Sequence, residues 1–151
     1  MRTRGFEIVR RYLDQGIHLP KRGTARSAGY DLEAAERVEI PPGGFALVPT
    51  GLKAYMLPDE VLEIHIRSSM AVKKGLSLVN SVGIIDGDYY DNPDNEGHIM
   101  VVLRNDSPKR VELAKGTRVA QGIFVKYLTI DGDPVGEGEE RRGGFGSTGE
   151  G

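Results

Sequence analysis

The sequence predicts an all-β domain, and three observations carry that prediction. No window of a dozen residues keeps apolar side chains at i, i+3, i+4 and i+7 without a proline or glycine breaking it, so helical periodicity is almost absent. Short stretches rich in Val, Ile, Leu and Phe recur instead, divided by clusters of turn-forming residues. Length agrees, because 151 residues suit one domain able to bury a hydrophobic core. Short strands at regular spacing build a sandwich or a barrel.

In chain order, strands are expected over 45–50, 61–66, 97–103, 110–113 and 118–127. The turn clusters Pro41-Pro42-Gly43-Gly44, Leu57-Pro58-Asp59-Glu60, residues 105–109 and Ala114-Lys115-Gly116 punctuate them. One short helix is expected over 69–74, with Ser69 as its cap and Gly75 as its stop. The segment 80–96 reads as an exposed hairpin with glycines at 83 and 87. From Asp131 onward the composition changes: eight of the 21 glycines fall there, and Val135 and Phe145 are its only large apolar side chains. Such a segment cannot fold alone, so the chain divides into a β-domain over 1–130 and a C-terminal arm over 131–151, read either as a plain tail or as a functional arm.

Composition excludes several classes of function. The absence of cysteine removes disulfides, thiol catalysis and thiolate metal sites. With 20 basic against 22 acidic residues there is no global positive field to attract nucleic acid, so any anion must be held locally. The longest apolar run, 99–103, is five residues, far short of the roughly 20 that a bilayer-crossing helix needs. The N-terminal basic residues lack the apolar stretch of a secretory signal, and the expected location is the cytoplasm.

Three segments could carry chemistry. Gly144, Gly146 and Gly149 form a literal G-x-G-x-x-G, but no strand precedes it and no helix can follow, so it is no dinucleotide fingerprint. Its backbone N–H groups, with Ser147, Thr148 and the arginines 141 and 142, can still wrap a phosphate. Arg67-Ser68-Ser69, ahead of Lys73 and Lys74, offers an anion site or simply a solvated strand end. In segment 80–96 the five carboxylates Asp86, Asp88, Asp91, Asp94 and Glu96 read mostly as solvated loop charges. Asp86 differs because it follows Val82-Gly83-Ile84-Ile85, an apolar wall beside which a carboxylate can orient a water or a cation. His18, His65 and His98 show no ligand spacing, and His65 between Ile64 and Ile66 reads as a strand-face residue.

Read in order, these segments resemble the five motifs of the trimeric dUTPase family. Ala28-Gly29-Tyr30-Asp31-Leu32 resembles the first; Arg67-Ser68-Ser69 with Lys73 and Gly75 the second; and Asn80, Gly83, Ile85, Asp86 and Tyr89, at their spacing, the third. Gly116-x-Arg118-Val119-Ala120-Gln121 resembles the fourth, and Gly143-Gly144-Phe145-Gly146-Ser147-Thr148-Gly149 the fifth. The resemblance implies hydrolysis of dUTP to dUMP and pyrophosphate by a β-clip or jelly-roll subunit. It further implies a homotrimer that exchanges C-terminal arms and shares its active sites between subunits. Asp86 would activate the water attacking the α-phosphorus, and Tyr89 would pack under the deoxyribose. Asn80, Gly83, Ile84, Ile85 and Met100 would form the uracil pocket, while Arg67, Ser68, Ser69 and Gln121 would bind phosphates. Mg2+ would arrive on the triphosphate and meet Asp31 and Gln121 through water only. Arg141, Gly146, Ser147 and Thr148 would grip the γ-phosphate end, with Arg142 an alternative to Arg141, and Phe145 would cover the base.

The chain departs from the family pattern in three places. Ile66 stands where the second motif usually begins with proline, and Arg141 lies one residue closer to the double glycine than is common. Residues 90–96 separate Tyr89 from Gly97, six more than usual, and His98 replaces a glutamate. This acidic insertion keeps open a protein partner and a nucleotide-switched regulatory role. A dCTP deaminase of the same superfamily is the other alternative, since it too carries an Arg-Ser-Ser segment.

Overall fold

The computed structural model describes residues 2–135. Its strands are β1 (Gly5–Ile8), β2 (Tyr30–Glu33), β3 (Val38–Ile40), β4 (Phe45–Pro49), β5 (Leu52–Tyr55), β6 (Glu60–Ile66), β7 (Leu76–Leu78), β8 (Gly83–Asp86), β9 (Met100–Asn105), β10 (Val111–Leu113) and β11 (Arg118–Lys126). A single α-helix, α1 (Ser68–Lys74), lies between β6 and β7. The fold is all-β, as expected.

Every strand pairing is antiparallel. A four-stranded sheet runs β2-β11-β6-β8 and a three-stranded sheet runs β4-β9-β7, with β1-β5 and β10-β3 as two-stranded ribbons. Alternation fixes which face each strand buries: along β6, Leu62 and Ile64 point inward while Glu63 and His65 point outward. Leu32, Val119 and Ala120 complete that layer, and Val48, Val101, Leu103, Leu76 and Leu78 face it from the second sheet. The result is a jelly-roll-type sandwich with one continuous core.

The five expected strands form with shifts of up to three residues at their ends. The strands β1, β2, β3, β5, β7 and β8, each of three or four residues, escape the sequence pattern because polar residues or glycines break the apolar alternation in so short a run. They are strands because a neighbour supplies their hydrogen-bond register. The helix forms one residue earlier than expected, and its cap is Arg67 in extended conformation, with no side-chain cap bond, so Ser68 and Ser69 open the first turn instead of capping it. Gly75 ends it in the left-handed region at φ 67°, as expected of a glycine stop.

Segment 80–96 is not a hairpin. β8 pairs with β6, and the chain then makes a 3-10 turn (Gly87–Tyr89) and a compact loop before β9 joins the other sheet. Among the described residues no helix is long and apolar enough to cross a membrane.

Candidate active site

One half of the candidate site is built by strand register. Asp31 on β2 stands opposite Gln121 on β11, which stands opposite His65 on β6. Directly paired residues in an antiparallel sheet point to the same face, so the three side chains form a row. Beside that row Arg67 leaves the end of β6, with its Nε 3.3 Å from Asp31 Oδ1, and Arg118 Nη1 lies 3.7 Å from Asp31 Oδ2. One half-buried carboxylate thus holds two guanidinium groups next to the two serines at the start of α1. Gly29 leaves room for Gln121, since a Cβ at that position would lie 2.3 Å from Gln121 Oε1 and displace the side chain. His65 is the strand-face residue the sequence indicates, its Nε2 2.9 Å from Glu63. The donors of this cluster suit a polyanion.

The second half is apolar. Asn80, Gly83, Ile84, Ile85 and Met100 line one narrow crevice with Ile64, Leu78, Val101 and Val102. All five residues that the resemblance assigns to the base therefore meet in one place, although they come from the turn before β8, from β8 and from β9. A side chain at 83 would crowd Ile64, with 3.0 Å between the two Cβ atoms. Asp86 ends β8, partly buried, directly opposite Val61. The Tyr89 ring is 9% exposed, and its hydroxyl donates to the His98 carbonyl at 3.1 Å.

Residues 90–96 fold back onto the body of the domain. Lys53, buried on β5, donates to Asp91 and to Glu96 Oε2, the latter at 2.7 Å, and the Arg10 amide donates to Glu96 Oε1 at 3.0 Å. Tyr90 donates to Glu7 of β1. Burial pulls the Lys53 ammonium down, yet Asp91 and Glu96 outweigh it and leave the group raised above its ordinary range. Burial likewise pushes the Glu96 carboxyl up, and the bond from Lys53 reverses this and holds it low. Two of the three carboxylates in this insertion are therefore paired internally with one ammonium. His98 is buried against Tyr12, and its Nε2 accepts the Gly51 amide at 2.9 Å. Burial, with Arg11 acting in the same sense, pushes its imidazolium down against the weaker pull of Glu36 and Glu96.

The two halves do not meet within one chain. Asp86 sits level with Val61 near the start of β6 and Arg67 follows the end of that strand, so extended geometry places them about 20 Å apart. Arg141, Phe145, Gly146, Ser147 and Thr148 lie outside the described residues. Among the described residues no three His, Asp or Glu side chains converge as metal ligands. The oxygen donors of Asp31 and Gln121, beside two arginines, fit a hydrated magnesium carried by a polyanion, which they would meet through its waters. Sequence reasoning missed Arg118 as part of this cluster and Asn95 as a partner of Tyr89. For Arg118 a signal existed in its place within the fourth motif; for Asn95 there was none.

The dUTPase family model matches residues 15–149. A deoxyuridine 5'-triphosphate nucleotidohydrolase of Lactococcus lactis subsp. lactis (strain IL1403) is 58% identical over 149 residues, covering 99% of each chain. Another from Corynebacterium jeikeium (strain K411) is 41% identical over 95% of this chain and 92% of its own. The crystal structure of dUTPase from Streptococcus mutans superposes with a TM-score of 0.81 at 56% identity, over 85% of this chain and 99% of that one. A dUTPase from phage phi11 of S. aureus, in which a structural Mg(II) ion is coordinated, shares the fold with a TM-score of 0.73 at 19% identity, over 90% of this chain and 98% of its own.

Proposed function

The chain belongs to the dUTPase family and is a dUTP diphosphatase, and from that premise we propose a magnesium-dependent mechanism whose active site is shared between subunits. The observation that carries the reading is the separation of about 20 Å between Asp86 and Arg67 along β6. A triphosphate is much shorter, so a water held by Asp86 reaches the α-phosphorus of a chain bound at Arg67 only if the two residues come from different copies. The second sheet supports assembly into a homotrimer, because Phe45, 64% exposed, and Leu47, 49% exposed, share its outer face with Val79 and Val102. Exposed apolar side chains gathered on one face, here beside Arg104 and Ser77, suit an interface.

In this mechanism the uracil enters the crevice of Asn80, Gly83, Ile84, Ile85 and Met100. The Asn80 amide and the backbone around Ile84 match its polar edge, and cytosine is rejected because its amino group leaves those partners unsatisfied. Tyr89 lies under C2′ and excludes a 2′-hydroxyl. Arg67, Ser68, Ser69 and Gln121 of the neighbouring subunit bind the phosphate chain, with Arg118 beside them. Asp86 accepts a proton from the water as its oxygen bonds to the α-phosphorus, the bond to the bridging oxygen breaks, and pyrophosphate leaves. Asp31 and Gln121 would hold the waters of a magnesium ion carried by the triphosphate, and that ion would supply charge neutralisation to the phosphate chain. The fifth motif lies beyond the described residues; to it we assign the γ-phosphate contacts of Arg141, Gly146, Ser147 and Thr148 and the base contact of Phe145.

Pyrophosphate release measured with dUTP, dTTP, dCTP and UTP, in magnesium and in EDTA, tests this reading. Turnover should be confined to dUTP and fall steeply in EDTA. Equal turnover in EDTA would exclude the magnesium step, and conversion of dCTP to a uracil nucleotide would point to the deaminase.

A further inference from the structure

The inserted residues 90–96 close into a ring behind Tyr89. The Asn92 amide donates to the Tyr89 carbonyl at 3.1 Å, the Glu96 amide to the Asn92 carbonyl at 2.7 Å, and the His98 amide to the Asn95 carbonyl at 3.1 Å. Gly97, at φ 79°, lets the backbone pass so close that a Cβ there would lie 2.3 Å from the Tyr89 carbonyl oxygen. Within the ring the Asn95 side chain does two things. Its Oδ1 accepts the Gly97 amide at 3.0 Å, which fixes the orientation of the amide, and its Nδ2 donates to the Tyr89 hydroxyl at 2.7 Å. That hydroxyl also donates to the His98 carbonyl, so the far end of the ring is held from two sides.

We propose that Asn95 is a positioning residue for sugar selection: the insertion, pinned to β5 by Lys53, presents Asn95 so that the Tyr89 ring is held at the depth that excludes a 2′-hydroxyl. This rests on Tyr89 being the sugar gate, and it gives the insertion an internal role in place of a partner-binding one. A phenol held at its hydroxyl by an amide on a closed loop cannot tilt away without breaking that bond. A ring free to tilt leaves room for the extra oxygen of UTP. The pinning matters for the same reason, since Asp91 and Glu96 flank Asn95 and share one buried ammonium.

The test is the ratio of kcat/KM for dUTP to that for UTP, which does not depend on the fraction of folded enzyme. Asn95→Ala should lower this ratio about fivefold, the size of effect expected for losing one buried hydrogen bond. Tyr89→Phe, which removes the hydroxyl with its bonds to both Asn95 and His98, should lower it at least as much, and an unchanged ratio in that variant overturns the inference should Asn95→Ala not fold. The double variant should fall no further than Tyr89→Phe alone, because that substitution already removes the bond to Asn95. Tyr89→Ala serves as the control for the gate. If it lowers the ratio while Asn95→Ala or Tyr89→Phe does not, the gate stands and the positioning role of Asn95 is wrong. If Tyr89→Ala leaves the ratio unchanged, the gate reading fails and the inference falls with it.

Discussion

The cluster around Asp31 owes its geometry to strand register, whereas Tyr89, proposed as the wall beside the sugar, owes its position to side chains reaching across a loop. Asp31, Gln121 and His65 stand in a row because three strands pair. The backbone hydrogen bonds that place them belong to the sandwich as a whole. Tyr89 instead depends on Asn95, His98 and, at one remove, on Lys53 holding Asp91 and Glu96. The comparison teaches that one site can be built with two kinds of support. Register-held residues tolerate neighbouring changes as long as the sheet survives. Loop-held residues respond to individual polar contacts and to protonation.

The largest effect should come from the chemistry itself. Asp86→Asn keeps size and strand pairing but removes the base, so turnover should fall on the order of 10²-fold or more while the fold and dUTP binding persist. Steady-state kinetics beside a nucleotide-binding isotherm measure both, and near-normal turnover in a folded variant would remove Asp86 from its role.

A smaller effect should appear on the loop-held side, as a dependence of stability on pH. Unfolded His98 takes up a proton near its ordinary value of 6.5, whereas the buried imidazole of the folded chain resists it. The unfolded state therefore binds more protons below that value, and folding stability should fall as pH drops from about 6.5 toward 5. Glu96, held low by Lys53, adds a second loss below its ordinary 4.5. Urea titrations across this range should show the first decline in the parent and a flatter profile in His98→Gln. An equally steep decline in that variant would place the titrating group elsewhere.

Much of the register-held half was legible in the sequence, and the reason is physical. Arg67-Ser68-Ser69 and Gln121 are residue types that polyanion binding requires, and they sit on or beside β6 and β11, strands long enough to show apolar alternation. What was not legible is pairing at long range. Arg118 meets Asp31, and Lys53 meets Glu96, only after strands distant in the chain are brought together. The misreading of 80–96 as an exposed acidic hairpin has the same origin: a glycine-bounded run of carboxylates carries no local sign that a buried lysine on β5 binds two of them. Asn95 was invisible for that reason too, since an asparagine in a polar loop is ordinarily a turn residue.

In the proposed mechanism one chain supplies Asp86 and another supplies Arg67, and mixing two disabled chains separates this arrangement from a site within one chain. Asp86→Asn and Arg67→Ala proteins should each be nearly inactive when refolded alone from urea. Refolded together in equal amounts, they should regain dUTP hydrolysis, with about a quarter of the sites intact if protomers assort at random in a symmetric ring. A mixture no more active than its two parents refolded separately would show that both residues act from the same chain, and the shared site would be wrong.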